Sequence, residues 1–177
     1  RLPASMNQVE YFGRGPAENY LDRNAGSMVG LYKSTAEELY FPYVRPQENG
    51  HHTDTRWVSL STGKKGLLIQ ADNTIGFNAL RNSIEDFDDE EATGLSRQWS
   101  NFTPEQVANH DEAAAKNVLR RQHHINDITP CDFVEVCVDL KQQGVAGYDS
   151  WGSRPEPAYT LPANREYNWG FTLIPLK

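Results

Sequence analysis

The sequence predicts an all-β fold, an antiparallel β-sandwich with long loops and one helical insertion. Its clearest strand covers residues 131–140, where every second side chain from Val134 to Leu140 is apolar. Short apolar stretches separated by turn-forming residues recur along most of the chain. Helix signals concentrate in residues 104–118, which follow an N-capping Thr103 and contain a run of alanines. We therefore expect a β domain with one helical excursion between two strands.

The composition sets the broad class of protein. At 177 residues the chain can bury a substantial core, and we expect residues 1–177 to form a single domain. The formal net charge is −7 and the basic residues form no run, which disfavours nucleic acid and anionic membranes as partners. No apolar run is long enough to span a bilayer.

The N-terminus and the cysteines say little about location. The chain begins with Arg1 and shows no secretory signal pattern, which indicates a processed chain or a fragment. Cys131 and Cys137 would lie roughly 20 Å apart on one strand, too far for a disulfide, so we expect free thiols. The compartment of a soluble protein stays open between cytoplasm and periplasm.

A polar segment near the N-terminus allows two interpretations. Residues 9–12 predict a short strand, and Gly13 to Pro16 predict a turn. Glu18 and Asp22 could then form a paired-carboxylate site, or a structural ion-pair network could hold an irregular segment in place. The members of that network would be Arg14, Glu18, Asp22 and Arg23. We favour the structural network, because such networks form without any catalytic role.

The middle of the chain predicts an antiparallel meander. Strands are expected at residues 55–60, 67–71 and 75–80, separated by turns at 63–66 and 72–74. Two signals precede this region. Thr35 and Glu38 have the spacing of a capping box that opens a brief helical turn, and Asn49-Gly50 is a strong hairpin signal.

The candidate metal ligands do not make a site. His51 and His52 are adjacent, so on a strand they would point to opposite faces and could not share an ion with Asp54. The acidic stretch 86–91 lacks the glycine that a calcium loop requires at its sixth position. We expect no metal in this chain.

A glycine-rich loop after the clearest strand carries one large aromatic residue. The loop runs from Gly144 to Gly152 and contains Trp151. Loops on a β scaffold commonly carry binding residues, and an aromatic face stacks well on the C–H face of a sugar. The alternative is that Trp151 fills the end of the core, because tryptophan is highly buried on average. The supporting residues of this loop would be Gly147, Asp149 and Ser150.

The last predicted strand, residues 167–176, places four large side chains on one face. These are Tyr167, Trp169, Phe171 and Leu173. Known catalytic signatures are missing from the chain: it has no nucleophile elbow, phosphate-binding loop or Cys-x-x-Cys pair. Judged by residues alone, an enzyme and a binding module remain equally open.

Four blocks of sequence nevertheless carry a specific likeness. They are VEYFGRGP at 9–16 with ENY at 18–20 and DR at 22–23, PYVRPQENG at 42–50 with TRW at 55–57, DLKQQGVAG at 139–147 with DSWG at 149–152, and YNWGFTLIPL at 167–176. This order and spacing resemble the C-terminal domain of the large bacterial β-galactosidases of glycoside hydrolase family 2. The likeness spans nearly the whole chain except residues 86–121, which look longer and more helical.

The resemblance implies the later part of a galactose-mutarotase-like β-supersandwich. It also implies that the catalytic glutamates and the family's Mg and Na sites lie in other domains, so this chain would hold no cofactor and no catalytic residue. In the family, a tryptophan on the Asp-Ser-Trp loop stacks against the aglycone, and Trp151 occupies that position. The flank from Ser153 to Pro157 departs from the family pattern, so lactose is not assured as substrate.

Three functional readings follow. The first is the C-terminal domain of a retaining β-galactosidase, which meets the galactoside through a catalytic domain of the same polypeptide. The second is a free-standing carbohydrate-binding module. The third is a purely structural or subunit-interface domain. A truncated sandwich would also expose an apolar edge, which predicts a homo-oligomer.

Overall fold

The fold is an antiparallel sheet, as the sequence predicts. The computed structural model describes residues 1–44, 47–87, 128–149 and 152–177. Within these residues the strands are β1 (Leu2–Pro3), β2 (Gln8–Gly15), β3 (Met28–Thr35), β4 (His52–Ser61), β5 (Gly66–Leu80), β6 (Phe133–Asp139) and β7 (Phe171–Leu176). Their order is β1-β6-β5-β4-β2-β3, and β7 pairs with the first half of β5. The described helical turns are two short 3-10 segments, Ile84–Asp86 and Pro157–Tyr159. The all-β prediction is confirmed, and the architecture is consistent with a sandwich.

The chain divides into two compact units. The first comprises residues 1–41, 49–81 and 131–177 and contains every strand named above. The second comprises residues 42–48 and 82–130. Its described part includes the 3-10 segment Ile84–Asp86, which Asp86 caps by accepting a hydrogen bond from the Ser83 amide at 2.7 Å. The predicted helix at 104–118 lies outside the described residues.

Part of the core of the first unit lies on one face of the sheet, whereas the second half of β5 is buried on both faces, since residues 75–80 are all buried. Register places Tyr11, Val58 and Ile69 side by side on β2, β4 and β5, and each is at most 2% exposed. Period-2 alternation puts these side chains on the same face as one another. Tyr20 and Leu39, from the segments that flank β3, are also buried.

Local signals of the sequence are confirmed where the contacts are short in range. β4 and β5 form a hairpin across Thr62 to Lys65, and Gly63 adopts φ +82° in the turn. The capping box forms as predicted. The Glu38 amide donates to Thr35 Oγ1 at 3.2 Å, and the Thr35 amide donates to Glu38 Oε2 at 3.1 Å. Neither Cys131 nor Cys137 forms a disulfide.

Three turn or strand predictions are wrong because pairing across the sheet overrides local preference. Residues 72–74 are not a turn: β5 is continuous, and the Asp72 amide donates to the Gly170 carbonyl oxygen at 3.0 Å. Gly13 to Gly15 continue β2 because β3 pairs along their whole length. The last strand begins at Phe171 rather than at residue 167.

The Asn49-Gly50 pair is also not a hairpin. Gly50 adopts φ +75°, but its amide donates to Glu18 Oε2 at 2.7 Å, 32 residues away in sequence. The side-chain oxygen of Asn49 accepts a hydrogen bond from the Phe41 amide at 2.9 Å. The dipeptide therefore anchors two loops instead of joining two strands. No helix among the described residues has the length and apolar character needed to cross a membrane.

Candidate functional site

The segment between β2 and β3 is fixed to the start of β4 by a fully buried asparagine. Asn19 is 0% exposed. Its side-chain oxygen accepts hydrogen bonds from the amide and hydroxyl of Thr53 at 3.0 and 2.6 Å, and its Nδ2 donates to the carbonyl oxygens of Arg14 and Ala17 at 3.1 Å. Satisfied buried polar groups of this kind rigidify the backbone around them. The segment is therefore an irregular but well-anchored platform.

A tight turn at the end of this platform presents Asp22. The backbone groups of Tyr20 and Arg23 bond each other in both directions, at 2.8 and 3.3 Å, and Asp22 lies between them. Tyr20 is 3% exposed, and its ring stacks on that of His51 with centroids 5.6 Å apart. The turn is thus held by both backbone and ring contacts.

The carboxylate of Asp22 reaches the glycine-rich loop, more than 120 residues away in sequence. Oδ1 accepts a hydrogen bond from the Val145 amide at 3.0 Å, and Oδ2 accepts one from the Ala146 amide at 2.8 Å. Gly144 leaves room for the carboxylate, since a Cβ at that position would stand 2.5 Å from Asp22 Oδ2. One side chain therefore grips two consecutive amides at the base of the loop.

The rest of the loop base uses local contacts. The Gly144 amide donates to the Tyr159 carbonyl oxygen at 2.8 Å, and the Gly147 amide donates to Ser153 Oγ at 3.3 Å. Gly147 adopts φ +95° and Ala146 φ +58°, so the chain turns sharply before residue 148. Asp149 is exposed. The predicted loop residues Ser150 and Trp151 lie outside the described residues.

The four residues of the predicted ion-pair network contact different partners. Arg14 Nε donates to Asp54 Oδ2 at 2.5 Å, while its Nη1 donates to the Asn24 and Ser27 carbonyl oxygens. Glu18, with a side chain only 4% exposed, lies 4.0 Å from Arg23 Nη1. Asp22 accepts hydrogen bonds from the loop amides, as described above. Every one of these contacts fastens an irregular segment to its surroundings.

The two adjacent histidines are both buried, each 1% exposed. His51 Nδ1 lies 2.8 Å from Asn78 Oδ1, and His52 Nδ1 lies 2.9 Å from the Gly50 carbonyl oxygen. Burial lowers the pKa of His52 to about 4, because the charged imidazolium would lose its hydration. Both rings therefore act as structural parts of the interior. No group of three or more metal-ligating side chains occurs among the described residues.

An open cleft of about 270 Å³ lies beside the platform. Its lining includes Leu21, Leu140, Lys141, Arg165 and Tyr167. The Arg165 guanidinium lies 4.7 Å from the centre of the Tyr167 ring, a cation–π distance. The cleft therefore lies between the residues that follow β6 and the segment before β7.

Sequence reasoning missed the bond between Asp22 and the loop, and it missed the role of Asn19. The density of polar residues around Glu18, Asn19 and Asp22 was the available signal, but it was interpreted only as a carboxylate pair or an ion-pair network. A carboxylate beside a glycine-rich loop is also a candidate acceptor for that loop's amides. Sequence alone does not show that residues 22 and 144–146 meet in space.

The fold and the site together define an all-β domain in which a buried polar platform holds an exposed loop. The chain belongs to the family described as the beta galactosidase small chain, which matches residues 1–173. It is 34% identical over 99% of its length to a beta-galactosidase of Priestia megaterium. It is 29% identical over 97% of its length to one from Vibrio cholerae, and 28% identical over 99% to one from Streptococcus thermophilus. The chain spans only 13–14% of the length of these relatives.

Proposed function

We propose that this chain is a non-catalytic β domain of a β-galactosidase that hydrolyses terminal β-D-galactose residues. The observation that carries the proposal is the match over nearly the whole chain to beta-galactosidases, although the chain spans only a small part of their length. The parent would be a retaining hydrolase of glycoside hydrolase family 2. Such enzymes use two carboxyl groups about 5 Å apart, and these would come from another part of the polypeptide. The isolated chain would then hydrolyse no galactoside.

Within that enzyme, the loop would bring Trp151 to the aglycone side of the active site. The support for this role is the construction of the loop base, where the Asp22 carboxylate and Gly144 hold the backbone shortly before residue 151. Asp149, Ser150 and Gly147 would support the loop, and the domain itself would bind no metal.

A second role, support of assembly, is favoured by exposed apolar side chains at one edge of the sheet. Trp169, Phe171 and Leu173 are 38–54% exposed. In the larger protein, other segments of the same polypeptide or a second copy would cover them. The first unit would then be the later part of a larger sandwich. A free-standing carbohydrate-binding module is the alternative, but it would leave these apolar side chains exposed to water.

The test of Trp151 is the Trp151→Ala variant of the full-length parent, assayed with lactose and with an aryl β-galactoside. Loss of stacking on a sugar is expected to raise KM for lactose about tenfold, the equivalent of about 1.4 kcal/mol, with a smaller change in kcat. The Phe variant, which keeps an aromatic face, should retain most of the affinity. Unchanged kinetics with lower thermal stability would instead make Trp151 a core residue.

A further inference from the structure

We propose that Asp22 is a positioning residue for the aglycone side of the active site, acting through the loop that precedes Trp151. This inference rests on the proposed function of the loop. Its structural basis is that both carboxylate oxygens of Asp22 are used, one on the Val145 amide at 3.0 Å and one on the Ala146 amide at 2.8 Å. Charge-assisted hydrogen bonds of this kind are stronger than neutral ones and fix direction as well as distance.

The loop needs such a clamp because its backbone is strained at that point. Ala146 adopts φ +58°, a left-handed conformation that a residue with a Cβ adopts at an energetic cost. The amide of that same residue donates to Asp22 Oδ2. The hydrogen bond therefore offsets the strain, and its loss would let Ala146 relax to an ordinary φ. Because Ala146 lies five residues before Trp151, the relaxation would redirect the chain that leads to the tryptophan.

The backbone that carries the Asp22 carboxylate is rigid, so the carboxylate can fix the position of the loop amides. Asp22 lies in the turn closed by Tyr20 and Arg23, and Tyr20 is buried against the ring of His51. Asn19, three residues earlier, is fully buried and bonded to Thr53. The backbone strain thus lies at Ala146 in the loop, whereas Asp22 is carried by the rigid platform.

Gly144 offers an independent way to disturb the same contact. A Cβ at this position would lie 2.5 Å from Asp22 Oδ2 and 2.6 Å from its Cγ, so the carboxylate would have to move. Gly144→Ala should therefore reproduce the effect of changing Asp22, because it displaces the carboxylate without removing it. Asp22→Asn keeps the size of the side chain but turns an NH₂ group toward one of the two amides, which leaves that amide without an acceptor.

The experiment compares Asp22→Asn, Gly144→Ala and Trp151→Ala in the full-length parent, singly and in pairs. We expect each of the first two to raise KM for lactose by about three- to tenfold with kcat changed less than twofold, an effect of the size of one ordinary hydrogen bond. Neither should raise KM further when Trp151 is already alanine. Glu37→Gln is the matched control. It removes a carboxylate that pairs with Arg81 at 2.7 Å in another part of the first unit, and it should leave KM unchanged.

Hydrogen–deuterium exchange of the same variants separates this inference from the role of Trp151. Peptides covering residues 144–149 should exchange faster in Asp22→Asn, while peptides of β2 and β4 stay protected. If Trp151→Ala leaves KM unchanged, the aglycone role of Trp151 fails, although the exchange result can still show the clamp. An Asp22 effect that adds to that of Trp151→Ala, or faster exchange across β2 and β4 as well, overturns the positioning role.

Discussion

At the scale of single residues, this chain places polar and ionisable side chains in its interior to hold irregular backbone. Asn19 bonds Thr53 and two carbonyl oxygens, and Glu18 bonds the Gly50 amide. His52 belongs to the same interior, with Nδ1 facing the Gly50 carbonyl oxygen and Nε2 facing that of Pro16 at 3.3 Å. Burial disfavours the charged imidazolium and outweighs the two carbonyl oxygens, which favour it, so the neutral ring donates to one of them through its single N–H.

The buried state of His52 predicts a loss of stability in acid. Its pKa falls from 6.5 in the unfolded chain to about 4 in the folded chain, chiefly through burial. The folded state thus binds fewer protons than the unfolded state between these pH values. The contribution of His52 to the free energy of unfolding is therefore complete above pH 6.5 and decreases by about 3 kcal/mol as the pH falls toward 4. Amide exchange of β4 peptides in the parent should show this loss of protection from pH 7 to pH 4, after correction for intrinsic rates. The loss should be absent from His52→Asn, and a difference between the two proteins that grows above pH 7 would contradict it.

At the scale of elements, local signals of the sequence were reliable only where their partners are close in the chain. The Thr35–Glu38 capping box and the β4–β5 hairpin form within a few residues, and both were predicted. The turn expected at 72–74 failed because β7 and β6 pair along β5 and keep it extended. The Asp22 clamp joins residues 123 positions apart, and no local pattern encodes that distance.

The contact between β2 and β4 depends on the absence of a side chain at Gly13. A Cβ there would lie 2.9 Å from the Cα of Thr55, next to the irregular register of β4 and β5 between His52 and Trp57. Gly13→Ala should force these strands apart and destabilise the first unit by about 1–3 kcal/mol. Thermal unfolding of the parent and exchange in β2 would measure this.

Gly26→Ala is the matched control for that substitution, since a Cβ at Gly26 meets nothing within 4 Å. Its effect should be within about 0.5 kcal/mol of zero. Equal effects of the two substitutions would mean that close approach at Thr55 does not limit the packing of β2 on β4.

At the scale of the whole molecule, large apolar side chains are exposed on β7 and on β3. β7 presents Phe171 and Leu173 at 38% and 54% exposure, on the same face as the buried core residue Ile69. β3 ends the sheet with Met28 and Leu31 exposed at 72% and 59%. Sheet edges with exposed apolar side chains are templates for association. This agrees with a chain that spans about one-seventh of the length of its relatives.

The isolated chain is therefore expected to self-associate through its apolar edge. Light scattering at increasing concentration should show dimers or larger species, because exposed apolar area on β7 is removed from water on association. Leu173→Lys places a charge in the middle of that edge and should shift the chain toward monomer. Val44→Lys, at an 82% exposed apolar residue outside the strands, is the control and should not. A wild-type chain that stays monomeric at high concentration would contradict this prediction.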